Sequence, residues 1–278
     1  MKRKDFGQLI KALRKEKRHN QYEMANYCWI SEAMASRLEQ GKARIDDIML
    51  SNLASYFQLT TGERREFFSA AVDFPSGELS LVSASELKPK LRSVASRSEL
   101  PCFVANQYGD VLYINDMLFM LLELNDELVE EAANLNMYNL IYMVLHEHYR
   151  ELMGASSRKQ LVDNFVQFRE ITLQYRATDR FRNIKNTLQK RFDGQFDTYW
   201  DITRIDKERA RDSVSFDYKY THRTYGALNY VGSIMPHNVK EGVLYVHNYV
   251  PLNKNTRVQF QKIAESTNRA VIELTLWP

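Results

Sequence analysis

The stretch Gln21-Tyr22-Glu23-Met24-Ala25-Asn26-Tyr27-Cys28-Trp29-Ile30-Ser31-Glu32-Ala33-Met34-Ala35-Ser36-Arg37-Leu38-Glu39-Gln40-Gly41 decides how the first part of the chain folds. A short helix starts near Gln21, turns Met24 and Ala25 inward and ends around Tyr27-Cys28-Trp29. Ser31 makes a good N-cap for a second helix from Glu32 to Gln40. Gly41 suits the position just past that helix, where left-handed backbone costs glycine little. Two short helices across so brief a break form a helix-turn-helix arrangement.

Working outward, Phe6, Leu9, Ile10 and Leu13 fall at i, i+3, i+4 and i+7, one apolar helical face, with Lys11, Arg14, Lys15 and Arg18 on the other side. Ile45, Ile48, Met49, Leu53 and Ala54 predict a fourth amphipathic helix. Leu59-Thr60-Thr61-Gly62-Glu63 leads into a fifth, carrying Phe67, Phe68 and Ala71. Charge follows the same division. Residues 1–72 hold thirteen Lys/Arg against nine Asp/Glu, a balance of +4, so the net +3 of the 278-residue chain resides there. A basic segment of this kind attracts phosphate backbones, although charge alone equally describes a solvated helix face. Spacing decides between them.

Gln21–Ala25, Ile30-Ser31 and Ser36–Gly41 resemble the XRE (Cro and phage-repressor) family of DNA-binding domains, over residues 5–72. The run Cys28-Trp29 is bulkier than the small turn residues usual there, and Met24 fills a core slot where many relatives carry Leu. The resemblance implies that the Glu32–Gln40 helix lies in the major groove of double-stranded operator DNA, with Glu32, Ala33, Ser36 and Arg37 facing base edges beside the N-cap Ser31. It also implies phosphate contacts from Gln21, Lys42 and Arg44. The competing role for Arg37 is an internal salt bridge to Glu39 or Glu23.

Residues 76–98 carry seven serines with Pro75, Gly77 and Pro89 as breakers, which predicts a linker with a short helix near 85–96 presenting Leu87, Leu91 and Val94. Beyond it, Pro101–Asn106 and Val111–Asn115 read as strands joined by a tight turn, and a helix with Met117, Leu118, Leu121 and Leu122 follows. Helical segments occupy 125–200, and strands return at Ser213–Tyr220, Gly226–Met235 and Gly242–Pro251. The expected fold class is α+β multidomain: a five-helix, lambda-repressor-like helix-turn-helix domain over 1–73, a linker over 74–98, and over 99–278 a five-stranded antiparallel sheet with helices. Strand, turn, strand ending in Asn, then helix opens like a PAS domain. With Glu63-Arg64-Arg65, Leu100-Pro101, Phe165–Arg169 and Phe196-x-x-x-Trp200, the whole chain is similar to MmyB-like (MltR-like) transcription regulators.

That second resemblance implies an internal hydrophobic tunnel and a small hydrophobic effector, with a fatty-acid-like molecule one candidate. Lining residues would be Phe103, Tyr113, Phe119, Tyr142, Phe165, Phe168, Phe196, Trp200, Tyr230 and Tyr245, with Arg169, Arg176, Arg223 or His247 at a polar head. The same aromatics read equally as plain core. His146-x-His148 on a helix sets its two rings about 200° apart, which does not clamp one ion, so no metal site is expected. Neither a phosphate loop nor a G-x-S-x-G elbow occurs, and no catalytic constellation or cofactor is expected. Two cysteines exclude a disulfide scaffold, and no run of eighteen apolar residues suggests a membrane span. The charged start lacks a signal core, and a cytoplasmic protein is expected. A homodimer on paired half-sites is the default for such a reader of DNA. Two other readings stay open: an enzyme with a DNA-binding module, and a regulator controlled by a protein partner through an aromatic surface, without a small ligand.

Overall fold

The computed structural model describes residues 3–72, 81–205, 216–268 and 270–275. Five helices come first: α1 (Arg3–Glu16), α2 (Gln21–Cys28), α3 (Glu32–Glu39), α4 (Asp47–Tyr56) and α5 (Thr61–Ala71). Each of α2 to α5 begins on a side-chain cap that satisfies an otherwise unpaired backbone N–H: Asn20, Ser31, Asp46 and Thr60 accept from Glu23, Met34, Met49 and Glu63. Phe6, Leu9, Ile10 and Leu13 are buried as their spacing predicts, against Met24, Leu38, Leu53 and Phe67. Gly41 ends the third helix with φ +69°. Ile48 departs from the sequence reading: it is 74% exposed, because the helix starts at Asp47 and its buried side carries Leu50, Leu53 and Ala54.

The connecting helix, α6 (Ala84–Arg97), runs through Pro89 and is no loose tether. Proline removes one N–H from the ladder, while Ala84, Leu91 and Ala95 hold the helix against one face of the sheet that follows. Val94, expected on the apolar face, is exposed. Lys88 and Arg92 both reach Glu273 from this helix.

The remainder comprises β1 (Cys102–Asn106), β2 (Val111–Asn115), α7 (Asp116–Leu121), α8 (Asp126–Asn134), α9 (Leu140–Leu145), α10 (Glu147–Met153), α11 (Ser157–Thr172), a 3-10 turn at Leu173–Tyr175, α12 (Asp179–Arg191), α13 (Gln195–Ile205), β3 (Phe216–His222), β4 (Gly226–Val239), β5 (Gly242–Pro251), α14 (Lys254–Ser266) and β6 (Val271–Glu273). Asn115 closes β2 and caps α7 by accepting from Leu118. Residues 213–215 of the first expected late strand lie outside the described residues.

The sheet has six strands, not five, in the order β3-β4-β5-β1-β2-β6, with antiparallel neighbours throughout. The additional strand is the short β6, which pairs Val271, Ile272 and Glu273 with Asn115, Ile114 and Tyr113. Successive strand residues point to opposite faces. Phe103, Ala105, Tyr218, Tyr230 and Tyr249 therefore meet the helical layer, while Cys102, Val104, Tyr113 and Val246 meet α6.

Candidate nucleic-acid interface

The candidate reading helix, α3, is fixed from beneath. Ala35 and Leu38 are buried in the five-helix core. Arg14 from α1 donates Nε to Glu39 Oε1 at 2.5 Å and Nη2 to Glu39 Oε2 at 3.1 Å. The same guanidinium donates Nη1 to the His19 carbonyl at 2.6 Å, so one buried arginine ties α1 to the end of α3 and to the turn before α2. A hydrogen bond to Glu39 holds the Arg14 pKa above its usual value against the opposing effect of burial. Gln21 Nε2 also donates to Glu39 Oε2, at 2.8 Å. Its side chain thus joins the start of α2 to the end of α3.

Close approach of α1 to α3 depends on Gly7. A Cβ there would lie 2.6–2.7 Å from the Leu38 and Glu39 carbonyl oxygens and from the Gly41 nitrogen, all of them backbone atoms. Gly7→Ala is expected to destabilise the protein by roughly 1–3 kcal/mol through overpacking. Urea unfolding checks it, and an unchanged midpoint would show that the two helices are not in this contact.

Glu32, Ala33 and Arg37 are exposed, Ser36 is half-buried, and all four share one side of α3. Ser36 Oγ accepts from Gln40 Nε2 at 3.1 Å. Ser31 is committed to its cap, accepting from Met34 N at 3.2 Å. Neither acidic partner proposed for Arg37 holds it: Glu39 is taken by Arg14 and Gln21, and Glu23 closes the capping box by accepting from Asn20 N at 2.6 Å. Among the described residues Arg37 has no ion pair. Lys42 and Arg44 are exposed just beyond Gly41. Trp29, set aside in the sequence as turn bulk, is 90% exposed at the C-cap of α2 with φ +58°. Its lack of a buried face in the apolar pattern was the available signal. Cys28 is buried, and burial raises its thiol pKa to about 11.

Among the described residues, the expected effector-lining residues do not converge on one void. Phe165, Phe168, Phe196 and Trp200 pack on one another and on Phe181, with ring centroids 5.5–6.2 Å apart. Tyr230 stacks on Tyr218 at 5.0 Å in a separate tyrosine layer with Tyr249. Tyr113 lies on the opposite sheet face from Phe103, because it pairs with Val104 in the register. Phe119 and Tyr245 are half-buried, the latter in the middle of the interior strand β5. Phe103 stacks on His247 at 4.1 Å. Tyr142 borders a different space, an apolar cavity of about 40 Å³ shared with Leu122, Val129, His146 and Tyr149.

Of the head-group candidates, Arg223 is paired with Glu123 at the surface, and His247 is buried, with its pKa lowered to about 3 by burial. Arg169 and Arg176 do something else: they join the two parts of the chain. Glu63 of α5 caps its own helix, its Oε2 accepting from Thr60 N at 3.0 Å. Its Oε1 accepts from Arg169 Nη2 at 2.9 Å and Arg176 Nη2 at 2.5 Å. Burial alone would raise the Glu63 pKa, but the two guanidinium groups hold it below the usual carboxylate value. Arg176 also reaches Glu16 at 3.2 Å, and Leu173 is fully buried in the five-helix core. Sequence reasoning missed this junction, whose halves lie about a hundred residues apart.

Residues 10–63 match the helix-turn-helix family HTH_3. The match supports an XRE-type, DNA-binding transcription regulator and covers the caps, turn and reading helix described above. A comparison with curated proteins returns no match. Among the described residues, no helix is long and apolar enough to cross a membrane.

Proposed function

We propose that this chain is a sequence-specific transcription regulator that reads operator DNA through α3 and answers to a small hydrophobic effector. The observation that carries the first half is Arg37, exposed on a rigidly mounted helix with its nearby carboxylates already engaged. A bidentate arginine on guanine is the commonest specific contact in the major groove. In this reading Glu32, Ala33 and Ser36 complete the base-facing side, and Lys42 and Arg44 grip the backbone. The DNA-binding unit is 1–73, the effector unit 99–278, and α6 in the 74–98 segment travels with the latter because it covers its sheet. A two-fold dimer on paired half-sites supplies the contacts that one such unit lacks.

Arg37→Ala is expected to weaken binding to a selected operator by roughly 1–3 kcal/mol and to relax preference at one base pair. Selection of bound duplexes followed by fluorescence anisotropy checks it; an unaltered base preference would remove α3 from the reading role.

For the effector half, support comes from the apolar cavity beside Tyr142, since the aromatic layers themselves are filled. About 40 Å³ is far below the 300–1,000 Å³ of ligand sites, so an acyl chain enters only as the surrounding side chains part. Internal packing of Phe165, Phe168, Phe196 and Tyr230 favours this over a partner docked on an aromatic surface.

A further inference from the structure

Where the two parts of the chain meet, a cleft of about 860 Å³ opens between the C-terminal half of α1 and the α12–α13 pair. This falls within the 300–1,000 Å³ of small-molecule sites, which favour domain junctions. Lys15, Lys17 and Arg18 border it from α1 and the turn beyond, and Arg182 and Lys185 face them from α12. Arg169 and Arg176 lie at its floor against Trp200, their guanidinium carbons 4.6 and 5.0 Å from the indole ring. Seven cations thus meet three lining carboxylates, Glu16, Asp197 and Asp201, and two more just outside the lining: Asp179, paired with Arg182, and Glu63, paired with Arg169 and Arg176.

Those acids leave the excess in place. Glu16 is shared by Arg176 and Lys185, at 3.2 and 3.5 Å. Asp197 accepts from Gln189 at 2.7 Å. Arg169 and Arg176 divide a single oxygen of Glu63 between them. Arg169, Arg176 and Lys185 against Glu63 and Glu16 leave one positive charge in a largely buried cluster. The buried Nε atoms of Arg169 and Arg176 both lack a hydrogen-bond partner among the described residues. Positive potential above a low-dielectric floor is focused into the cleft, and counter-ions concentrate there.

We propose that this cleft binds a small phosphate-bearing anion, held at once by the lysines and arginine of α1 and its turn and by Arg182 and Lys185 of α12. Opposed cationic walls suit a ligand with several negative oxygens, and arginine with lysine is the pairing that recognises phosphate. Such an anion would cross-link the DNA-binding unit to the rest of the chain. The site is independent of the α3 surface and of the apolar cavity.

The test uses the full chain, calorimetric titration with tripolyphosphate at fixed ionic strength, and sulfate as the comparison anion. Tripolyphosphate is expected to bind more tightly than sulfate, and Lys185→Gln, Arg182→Gln and the exposed Lys15→Gln are each expected to weaken it at least about fivefold. A double variant with Lys42→Gln and Arg44→Gln, on the candidate DNA surface, is expected to leave it unchanged. Absence of binding at millimolar tripolyphosphate would overturn the proposal. So would loss of binding in that double variant with retention in the cleft variants. A third adverse outcome is duplex DNA that competes with tripolyphosphate and loses affinity equally in the cleft variants, which would assign the cleft to a DNA backbone. Circular dichroism of each variant, and Lys15→Gln on a solvent-facing position, keep the result separate from misfolding.

Discussion

Replacing Glu63 by alanine is expected to cost about 3–5 kcal/mol of unfolding free energy, because breaking a buried ion cluster leaves its remaining charges uncompensated. Arg169 and Arg176 would then lie buried together, with Glu16 still paired to Arg176. The same substitution deletes the capping box that starts α5. Urea denaturation measures the loss, and the transition is expected to divide in two as the five-helix unit separates from the rest. A triple variant with Glu63→Leu, Arg169→Met and Arg176→Leu is expected to recover much of the stability, since apolar residues of similar volume often replace buried ion groups at no cost. A Glu63→Ala protein within about 1 kcal/mol of the parent would show that the cluster is not formed. Arg169→Met alone, which also strips a cation from Trp200, provides a second measurement of the same contact.

Acidification is expected to produce the second large effect, through His247. Burial against Phe103 lowers its pKa to about 3 in the folded chain, against about 6.5 when unfolded. Between those values the unfolded chain binds the extra proton, so stability falls as pH drops through that window and is fully retained above pH 6.5. At about 1.36 kcal/mol per pH unit, the loss by pH 3 is on the order of 4–5 kcal/mol. His247→Leu is expected to flatten the dependence of unfolding free energy on pH between 6.5 and 4 by close to one proton. Equal slopes in the two proteins would place the imidazole in contact with water.

The N-terminal helices were legible because three local signals coincide there: a 3.6-residue apolar period, a cap at Ser31, and Gly41 at a left-handed position. Strands β2 and β5 were legible to the residue, being bounded by turn glycines or a capping Asn. What escaped depends on distance or register. Strand β6 is three residues long and too short to show alternation, and α14 carries only Thr256, Phe260 and Ile263 inward. Tyr113 looked like a companion of Phe103, yet pairing with Val104 turns it to the other face. Arg169 and Arg176 looked like head-group donors because their partner, Glu63, lies more than a hundred residues earlier and reads locally only as part of the lead into the fifth helix. The bond from Gln21 to Glu39 was hidden for the same reason, since Glu39 comes near it only once α3 folds back.

Leu173 completes the core of a unit whose last helix ends at Ala71. On a ribosome adding 5–20 residues per second, about a hundred further residues must emerge before that side chain is available, a delay of roughly 5–20 s. During that interval the nascent five-helix segment exposes the apolar seat of Leu173, and Glu63 waits unneutralised at its rim. The segment is therefore a poor cassette: grafted onto another protein without the Leu173–Arg176 stretch, it would leave the ribosome with an open core and a stranded carboxylate.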